Sequence, residues 1–320
     1  MTTKRFSLFA IVMAAFVLLV GCKKENNGAK IQNATNSMLK FNSFEEVIDY
    51  LANEDTTPTN YSFVSYGAMM DNAYYELDAE NRFKSIEELK QFVSDNNKMY
   101  QLIVVGDDEY MFETRLYDHP FRNVANEEKM FQVADSIFKI VEGGFIATSF
   151  NNMDILRQYD FADKGIDKRI KTYFFNEDSA SKDQTYNCGK SLYEEHTTGN
   201  NKITFKIDIS GVNTGVGINY VSLRYFAKPY HYSIAWFGCN RTITVSLSSA
   251  MDYKKNNSWS RYKHTPFYTV ATDTGSSYEK IYKISVGSTT IQDTHIGGTN
   301  SYALTYDAGK AELRCNTAIL

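Results

Sequence analysis

Residues 201–210 read N-K-I-T-F-K-I-D-I-S, with an apolar residue at every second position from Ile203 to Ile209. This alternation has the period of a β-strand with one buried face, because successive side chains of a strand point to opposite sides. The same pattern returns at 242–248, where Ile243, Val245 and Leu247 alternate with Thr and Ser. Both stretches predict strands of a sheet that covers an apolar core.

Six more strands fit the rest of the C-terminal region, where runs rich in β-branched and aromatic residues end at turn residues. They span 219–227, 230–237, 266–272, 278–286, 301–306 and 311–316. Gly238-Cys239-Asn240 and Asp307-Ala308-Gly309-Lys310 are the predicted turns. Strands without any helical period predict an all-β sandwich over residues 195–320, which we expect to fold by itself.

The preceding region, residues 39–180, opens with helical signals. Ser43-Phe44-Glu45-Glu46 and Ser85-Ile86-Glu87-Glu88 are capping boxes, in which a hydroxyl and a carboxylate bind the free N–H groups of a helix start. Further helices are predicted at 63–77, 98–115 and 153–159, and three short strands at 130–133, 136–141 and 145–150. The fold class predicted is α+β with two domains: a helical unit with a small β-meander, then the sandwich.

Charge is distributed unevenly between the N-terminal and C-terminal regions. Residues 22–200 carry 19 Lys and Arg against 31 Asp and Glu, a net charge of −12. Residues 201–320 carry 13 and 7, a net charge of +6. This asymmetry favours two units with different surfaces, separated in the polar stretch 176–200.

The N-terminus has the three zones of an export signal. Lys4 and Arg5 precede the apolar run Phe6–Val20, which is shorter than the about 20 residues that a spanning helix needs. The run ends in Leu19-Val20-Gly21-Cys22, which resembles the lipobox of bacterial lipoproteins. The resemblance implies that residues 1–21 are a signal peptide and that Cys22 is the lipidated residue, whose acyl chains anchor the protein to a membrane.

Residues 22–38 are polar and read as a flexible tether. Its start, Lys23-Lys24-Glu25, resembles the export signal of surface lipoproteins in Bacteroidetes-type bacteria. The alternative is a solvated linker on a lipoprotein that faces the periplasm. Either way we expect a lipid-anchored protein of the cell envelope, at the outer membrane, and the whole chain resembles Bacteroidetes-type surface lipoproteins of unknown function.

Three cysteines remain besides Cys22. Outside the cytoplasm they allow one disulfide, and we favour Cys188 with Cys315, which lie before the first and near the last strand of the C-terminal region. The spacing fits no zinc site, and no motif for a catalytic triad, phosphate-binding loop or dinucleotide-binding loop is present. The sequence therefore predicts no metal and no cofactor, and gives no positive sign of an enzyme.

One segment combines cations with aromatic rings. Asp252–His264 contains the candidate ligand-binding residues Lys254, Lys255, Trp259, Arg261, Tyr262, Lys263 and His264. Cations beside flat rings suit a glycan or an acidic protein surface. The alternative is a hairpin loop whose lysines protect a sheet edge.

The leading hypothesis is a non-catalytic binding module for a glycan or an acidic partner; nucleic acid is not expected. A hydrolase with a site between the two domains, and a structural part of an envelope or fimbrial assembly, are the alternatives. A fold alone does not separate these functions.

Replacing Cys22 with Ala should prevent cleavage and acylation, because the thiol is the acceptor of the lipid. The variant should lose the partitioning into the detergent phase that acyl chains give the wild type. Equal partitioning of the two proteins would contradict the lipid anchor.

Overall fold

A computed structural model describes residues 38–52, 63–159, 167–174, 191–210, 220–255, 257–264, 271–275, 277–285, 293–296, 299–306 and 309–316. The predicted signal peptide, Cys22 and the tether up to residue 37 lie outside this set, and so does Cys188. The lipid anchor and the Cys188–Cys315 disulfide therefore stay predictions.

The helices of the described residues lie in the N-terminal region and around residue 155. They are α1 (Phe44–Ala52), α2 (Tyr66–Leu77), α3 (Ala79–Arg82), α4 (Ile86–Asp95) and α5 (Met153–Leu156). The capping boxes are confirmed, since the Ser43 and Ser85 hydroxyls accept hydrogen bonds from the Glu46 and Glu88 N–H groups at 3.3 and 3.2 Å.

Strands make up most of the described chain. They are β1 (Lys40–Phe41), β2 (Tyr100–Gly106), β3 (Glu109–Thr114), β4 (Met130–Val133), β5 (Ser136–Val141), β6 (Gly144–Ser149), β7 (Lys171–Phe174), β8 (Ser191–Thr198), β9 (Asn201–Ser210), β10 (Tyr220–Tyr232), β11 (Trp236–Gly238), β12 (Arg241–Lys255), β13 (Ser258–His264), β14 (Ala271–Gly275), β15 (Tyr278–Ser285), β16 (Asp293–Ile296), β17 (Thr299–Tyr306) and β18 (Gly309–Asn316). A mixed α+β fold is thus confirmed, with far more sheet than helix.

The strands form three sheets. The first has the order β1-β4-β5-β6-β7, and α1 packs on it through Phe44, which contacts Phe131, Phe138 and Phe145. The second has the order β2-β3-β11-β10-β9-β8, with β15 paired to β10. The third has the order β13-β12-β17-β18, with β14 and β16 also paired to β12.

The second sheet crosses the predicted domain boundary. Strand β3 pairs in parallel with β11, which places Met111 opposite Trp236 and Phe112 opposite Phe237. One core cluster likewise combines Phe83 and Leu89 with Phe112, Ala235 and Phe237. A two-domain layout is not confirmed, because sheet and core join the two predicted units. The sandwich assigned to residues 195–320 stays a prediction.

The helix predicted at 98–115 is wrong. Strands β2 and β3 form a hairpin there, and Gly106 pairs with Glu109 around a two-residue turn in which Asp108 has a φ of 59°. The β-branched run Ile103-Val104-Val105 favours extended backbone, and Asp tolerates the left-handed conformation. Tertiary pairing with β11 then fixes the hairpin.

Two further predictions needed correction. The polar stretch 176–200, predicted as a boundary, contains strand β8, which pairs with β9 along its whole length. The predicted turn at Gly238-Cys239-Asn240 connects β11 and β12, which belong to different sheets rather than to one hairpin. The strands predicted at 278–286, 301–306 and 311–316 correspond to β15, β17 and β18, whereas 220–232 is one continuous strand. The strand predicted at 266–272 lies mostly outside the described residues, and the sequence predicts neither β13 nor β16.

An ion pair inside the protein joins the two regions. The Lys228 Nζ atom on β10 donates to Glu113 Oε2 on β3 at 2.6 Å, and the Glu113 side chain has no exposed surface. Burial raises the pKa of Glu113, and the charge and hydrogen bond of Lys228 only partly offset that effect. Burial thus works against the ionised form of this carboxylate, and Lys228 is the cation that opposes the effect of burial.

Replacing Lys228 with Met should destabilise the fold by about 3–5 kcal/mol at neutral pH, because it leaves a buried carboxylate without its cation. A raised folded-state pKa means that the folded chain holds a proton that the unfolded chain has released, so stability falls as pH rises through that range. The deficit of the variant should accordingly shrink when urea unfolding is repeated at lower pH.

Lys40→Met is the matched control, since Lys40 is exposed on β1, and it should change stability by no more than about 0.5 kcal/mol. A Lys228→Met variant that unfolds like this control at every pH would contradict the role of the pair.

Candidate functional site

Strands β8, β9 and β10 present a polar face. Alternation along β9 puts Lys202, Thr204, Lys206 and Asp208 on one side of the sheet. Of these, Lys202 and Thr204 are each 3% exposed, although the sequence pattern assigns them to the solvent side. This face is therefore covered by other parts of the chain.

The cross-strand pairs show which residues meet on this face. Tyr193 on β8 lies opposite Lys206 on β9, which lies opposite Phe226 on β10. In the next row, Glu195 on β8 lies opposite Thr204 on β9, which lies opposite Lys228 on β10. Aromatic rings and charged groups thus alternate across three strands.

Ion pairs neutralise most charges of the polar face. The Lys206 Nζ atom lies 3.3 Å from Asp208 and 3.4 Å from Asp118, a residue that reaches the sheet from the segment after β3. Arg224, which is 1% exposed, pairs with Asp208 at 3.2 Å and also with Glu279 on β15. Such mutual compensation is what allows charges to stay ionised away from water.

A pocket of about 600 Å³ opens on this face. Its apolar lining residues are Ile103, Val104, Val105, Met111, Phe205 and Phe226, and its polar ones are Tyr117, Asp118, Tyr193, Glu195, Thr204 and Lys206. We call this the concave pocket. It takes residues from β2 and from β8, the first and last strands of the sheet order, so the sheet curls until its two ends face each other.

The mouth of the concave pocket exposes apolar surface. Val104 on β2 is 69% exposed and Tyr193 on β8 is 50% exposed, and both belong to the few large apolar side chains that are exposed in the described chain. An exposed apolar patch rimmed by polar groups is typical of a binding surface. The volume also lies within the range of pockets that hold small ligands.

The ionisable groups of the pocket have defined states at neutral pH. Burial by itself would raise the pKa of Asp118, but the positive charges of Lys206 and Arg224 outweigh burial and hold that pKa below its ordinary value. Burial raises the pKa of the Tyr193 and Tyr117 hydroxyls. Asp118 is therefore an ionised acceptor, and both tyrosines keep their protons.

Comparison with known proteins adds little to this geometry. No protein-family model and no curated protein sequence matches the chain. Among solved structures, the chain is similar to the crystal structure of a DUF4848 family protein from Bacteroides thetaiotaomicron. The identity is 16%, over 87% of this chain and 97% of that chain, and the TM-score is 0.26, which is too low to establish a shared fold.

The segment predicted as a ligand-binding surface is a β-hairpin at an edge of the third sheet. Asp252 pairs with Arg261 and Lys254 with Trp259 across β12 and β13, and Asn257 takes a φ of 60° at the turn. Strand β13 also carries Tyr262, Lys263 and His264, and β12 ends at Lys255. The two strands bring all seven candidates into one hairpin, an arrangement compatible both with a contact surface and with the alternative of lysines that protect a sheet edge.

Arg261 has a structural task within this hairpin. Its Nε and Nη2 atoms donate to the two carboxylate oxygens of Asp252 at 2.6 and 2.7 Å, and Asp252 is fully buried. A guanidinium that donates two hydrogen bonds to one carboxylate cannot offer those two donors to a ligand. The binding role of the hairpin stays a prediction.

The cysteines lie partly within and partly outside the described residues. Cys22 and Cys188 lie outside the described residues, whereas Cys239, left over in the predicted pairing, is buried beside β11. In the described part of the chain, no cluster of three His, Cys, Asp or Glu side chains is arranged to hold a metal ion. No described helix is long and apolar enough to cross a membrane.

Sequence reasoning missed the concave pocket. The sequence places Val104 in a predicted helix, and Tyr193 and Glu195 in the predicted domain boundary. It predicts no helix or strand at Asp118. A usable signal was the run Tyr193-Glu194-Glu195 next to a clear strand, because an aromatic residue and a carboxylate at alternate positions share one face. The contribution of Asp118 had no local signal.

Replacing Arg261 with Ala should cost about 3 kcal/mol or more of stability, because it removes the bidentate pair of a buried carboxylate. Lys254→Ala in the same hairpin should cost no more than about 0.5 kcal/mol. Thermal or urea unfolding of both variants checks this difference. Equal stabilities would show that the Asp252–Arg261 pair is dispensable and would return Arg261 to the set of candidate ligand-binding residues.

Proposed function

We propose that the protein is a non-catalytic binding protein of the cell envelope, anchored by lipid on Cys22, that holds a small ligand in the concave pocket. The observation that carries the proposal is the pocket mouth, where Val104 and Tyr193 stay exposed at opposite ends of one curled sheet. The polar tether 22–38 would separate the folded body from the membrane surface.

The charge state of the pocket favours binding over catalysis. A general acid that works near neutral pH needs a raised pKa, whereas the pKa of Asp118 is lowered. The hydroxyl of Tyr193 also keeps its proton, because burial raises its pKa. These side chains are suited to accept and donate hydrogen bonds to a bound molecule.

The hairpin β12–β13 is a second candidate contact surface, for an acidic partner. Lys254 on β12 lies directly opposite Trp259 on β13, the strand that ends the third sheet. Binding through lysines should weaken as salt rises, because ions screen surface charges over about 8 Å at physiological salt. This dependence separates the hairpin from the concave pocket.

Tyr193→Ala should abolish ligand binding at the concave pocket without unfolding the protein, since the side chain is half exposed. The probe is a thermal-shift panel of saccharides, amino acids, short peptides and organic acids, because a bound ligand raises the melting temperature of the folded state. Compounds that stabilise the wild type should lose their effect on the variant.

Phe150→Ala is the matched control, because Phe150 is 49% exposed, like Tyr193 at 50%, and does not line the pocket. It should respond to the panel as the wild type does. A panel that stabilises nothing, or stabilises Tyr193→Ala equally, would contradict the proposal. Conversion of a stabilising compound, seen by mass spectrometry, would favour the hydrolase alternative.

A further inference from the structure

The balance of charges narrows the class of ligand that the concave pocket can hold. Its lining contains two carboxylates, Asp118 and Glu195, and one ammonium group, Lys206. Lys206 is already engaged by Asp118 and Asp208, at 3.4 and 3.3 Å. Glu195 is engaged as well, since its Oε1 atom lies 3.5 Å from the Lys202 Nζ atom. The lining is thus close to neutral and has no uncommitted cation, so a phosphate, sulfate or carboxylate group would find no counter-charge there.

A purely apolar ligand fits no better. Half of the lining side chains carry polar atoms, and a hydrocarbon would strip water from Asp118, Glu195 and Lys206 without replacing its hydrogen bonds. The ligand must therefore offer hydrogen-bond donors to the carboxylates and an apolar surface to the remaining lining.

The acceptors of the pocket are paired with aromatic rings. The Tyr193 hydroxyl donates to Glu195 Oε2 at 3.3 Å, so this ring and this carboxylate lie side by side at the mouth. Tyr117 and Phe226 form an edge-to-face pair with their centroids 6.2 Å apart on the wall of the pocket. Flat rings and adjacent carboxylates are together complementary to a ring with one apolar face and hydroxyls around its rim.

The same geometry suits an extended peptide less well. A carboxylate has two oxygens and about four acceptor positions, so it can receive two hydrogen bonds from neighbouring groups. Two neighbouring hydroxyls on a sugar ring lie close enough together to donate to the same carboxylate. Successive N–H groups of an extended peptide point to opposite sides, so only one of them reaches a given carboxylate.

We infer that the concave pocket binds a neutral saccharide, with Glu195 and Asp118 accepting hydrogen bonds from its hydroxyls and Tyr193 covering its apolar face. This inference rests on the proposed function and names the ligand class of the same site. It differs from the hairpin hypothesis, which calls for an anionic partner.

The test is a glycan array that carries neutral, amine-bearing, and carboxylated or sulfated glycans, probed with the full-length protein in detergent. Wild-type protein should bind neutral members. Glu195→Gln should bind them about tenfold more weakly, as expected when a charge-assisted hydrogen bond is lost. Glu194→Gln is the matched control, since Glu194 is the exposed neighbour on the other face of β8, and it should bind like the wild type.

Salt provides an independent readout. Affinity for a neutral ligand should change by less than about twofold between low and high salt, because screening acts only on charge–charge attraction. A steep decline, or a preference for amine-bearing or acidic glycans that is lost in Tyr193→Ala, would overturn the neutral saccharide and leave the pocket as a binding site.

Two further outcomes separate the inference from the function on which it rests. If no glycan binds but another compound of the thermal-shift panel stabilises the protein through Tyr193, the saccharide class is wrong and the proposed function stands. If no glycan binds and no compound of the thermal-shift panel stabilises the protein, both the saccharide inference and the proposed function are wrong.

Discussion

The ion pair between Glu113 and Lys228 determines how the second sheet is assembled. Strand β11 lies between β3 and β10, so the pair spans it, with 2.6 Å between Nζ and Oε2. Gly238 makes this crossing possible, because a Cβ atom there would lie 2.8 Å from Lys228 Cε. Tyr74 reinforces the junction, since its hydroxyl accepts from Gly238 N at 2.6 Å. The junction therefore ties β3 to β10 across β11, in the middle of the sheet whose end strands β2 and β8 line the concave pocket.

The alternation in residues 201–210 predicted the strand correctly and its surroundings incorrectly. A period of two separates two faces but does not say whether the polar face meets water or other protein. Here Lys202 and Asp208 are buried on the polar face, and the apolar residues from Ile203 onward are buried on the opposite face of the same strand. The curl of the sheet covers the polar row, and curl arises from pairing between strands that are far apart in the chain. Local pattern carries no information about it.

The same limit explains which parts of the candidate site were predictable. Helices with capping boxes, and strands such as 130–133 and 136–141, are specified by neighbours in sequence and were found. Lys206 and Asp118 are 88 residues apart, and Lys228 and Glu113 are 115 apart. Each of these four residues reads locally as an ordinary surface charge. The pairing of β3 with β11 brings the members of each pair together. Strand β3 belongs to the hairpin over residues 100–114, where the sequence predicts a helix.

Charges inside the curled sheet are not explained by stability alone. Well-packed apolar residues in place of a buried ion pair are often as stable or more stable, because desolvation offsets the attraction. The opposite face of the same strands already supplies apolar burial, through Ile203, Ile207 and Ile209. Apart from the Glu113–Lys228 pair, which joins β3 to β10, the charges of the polar face are therefore not needed to bury apolar surface. Under the proposal that the concave pocket holds a ligand, these charges have a role that stability does not give them, because the pocket then offers ionised acceptors in a rigid wall.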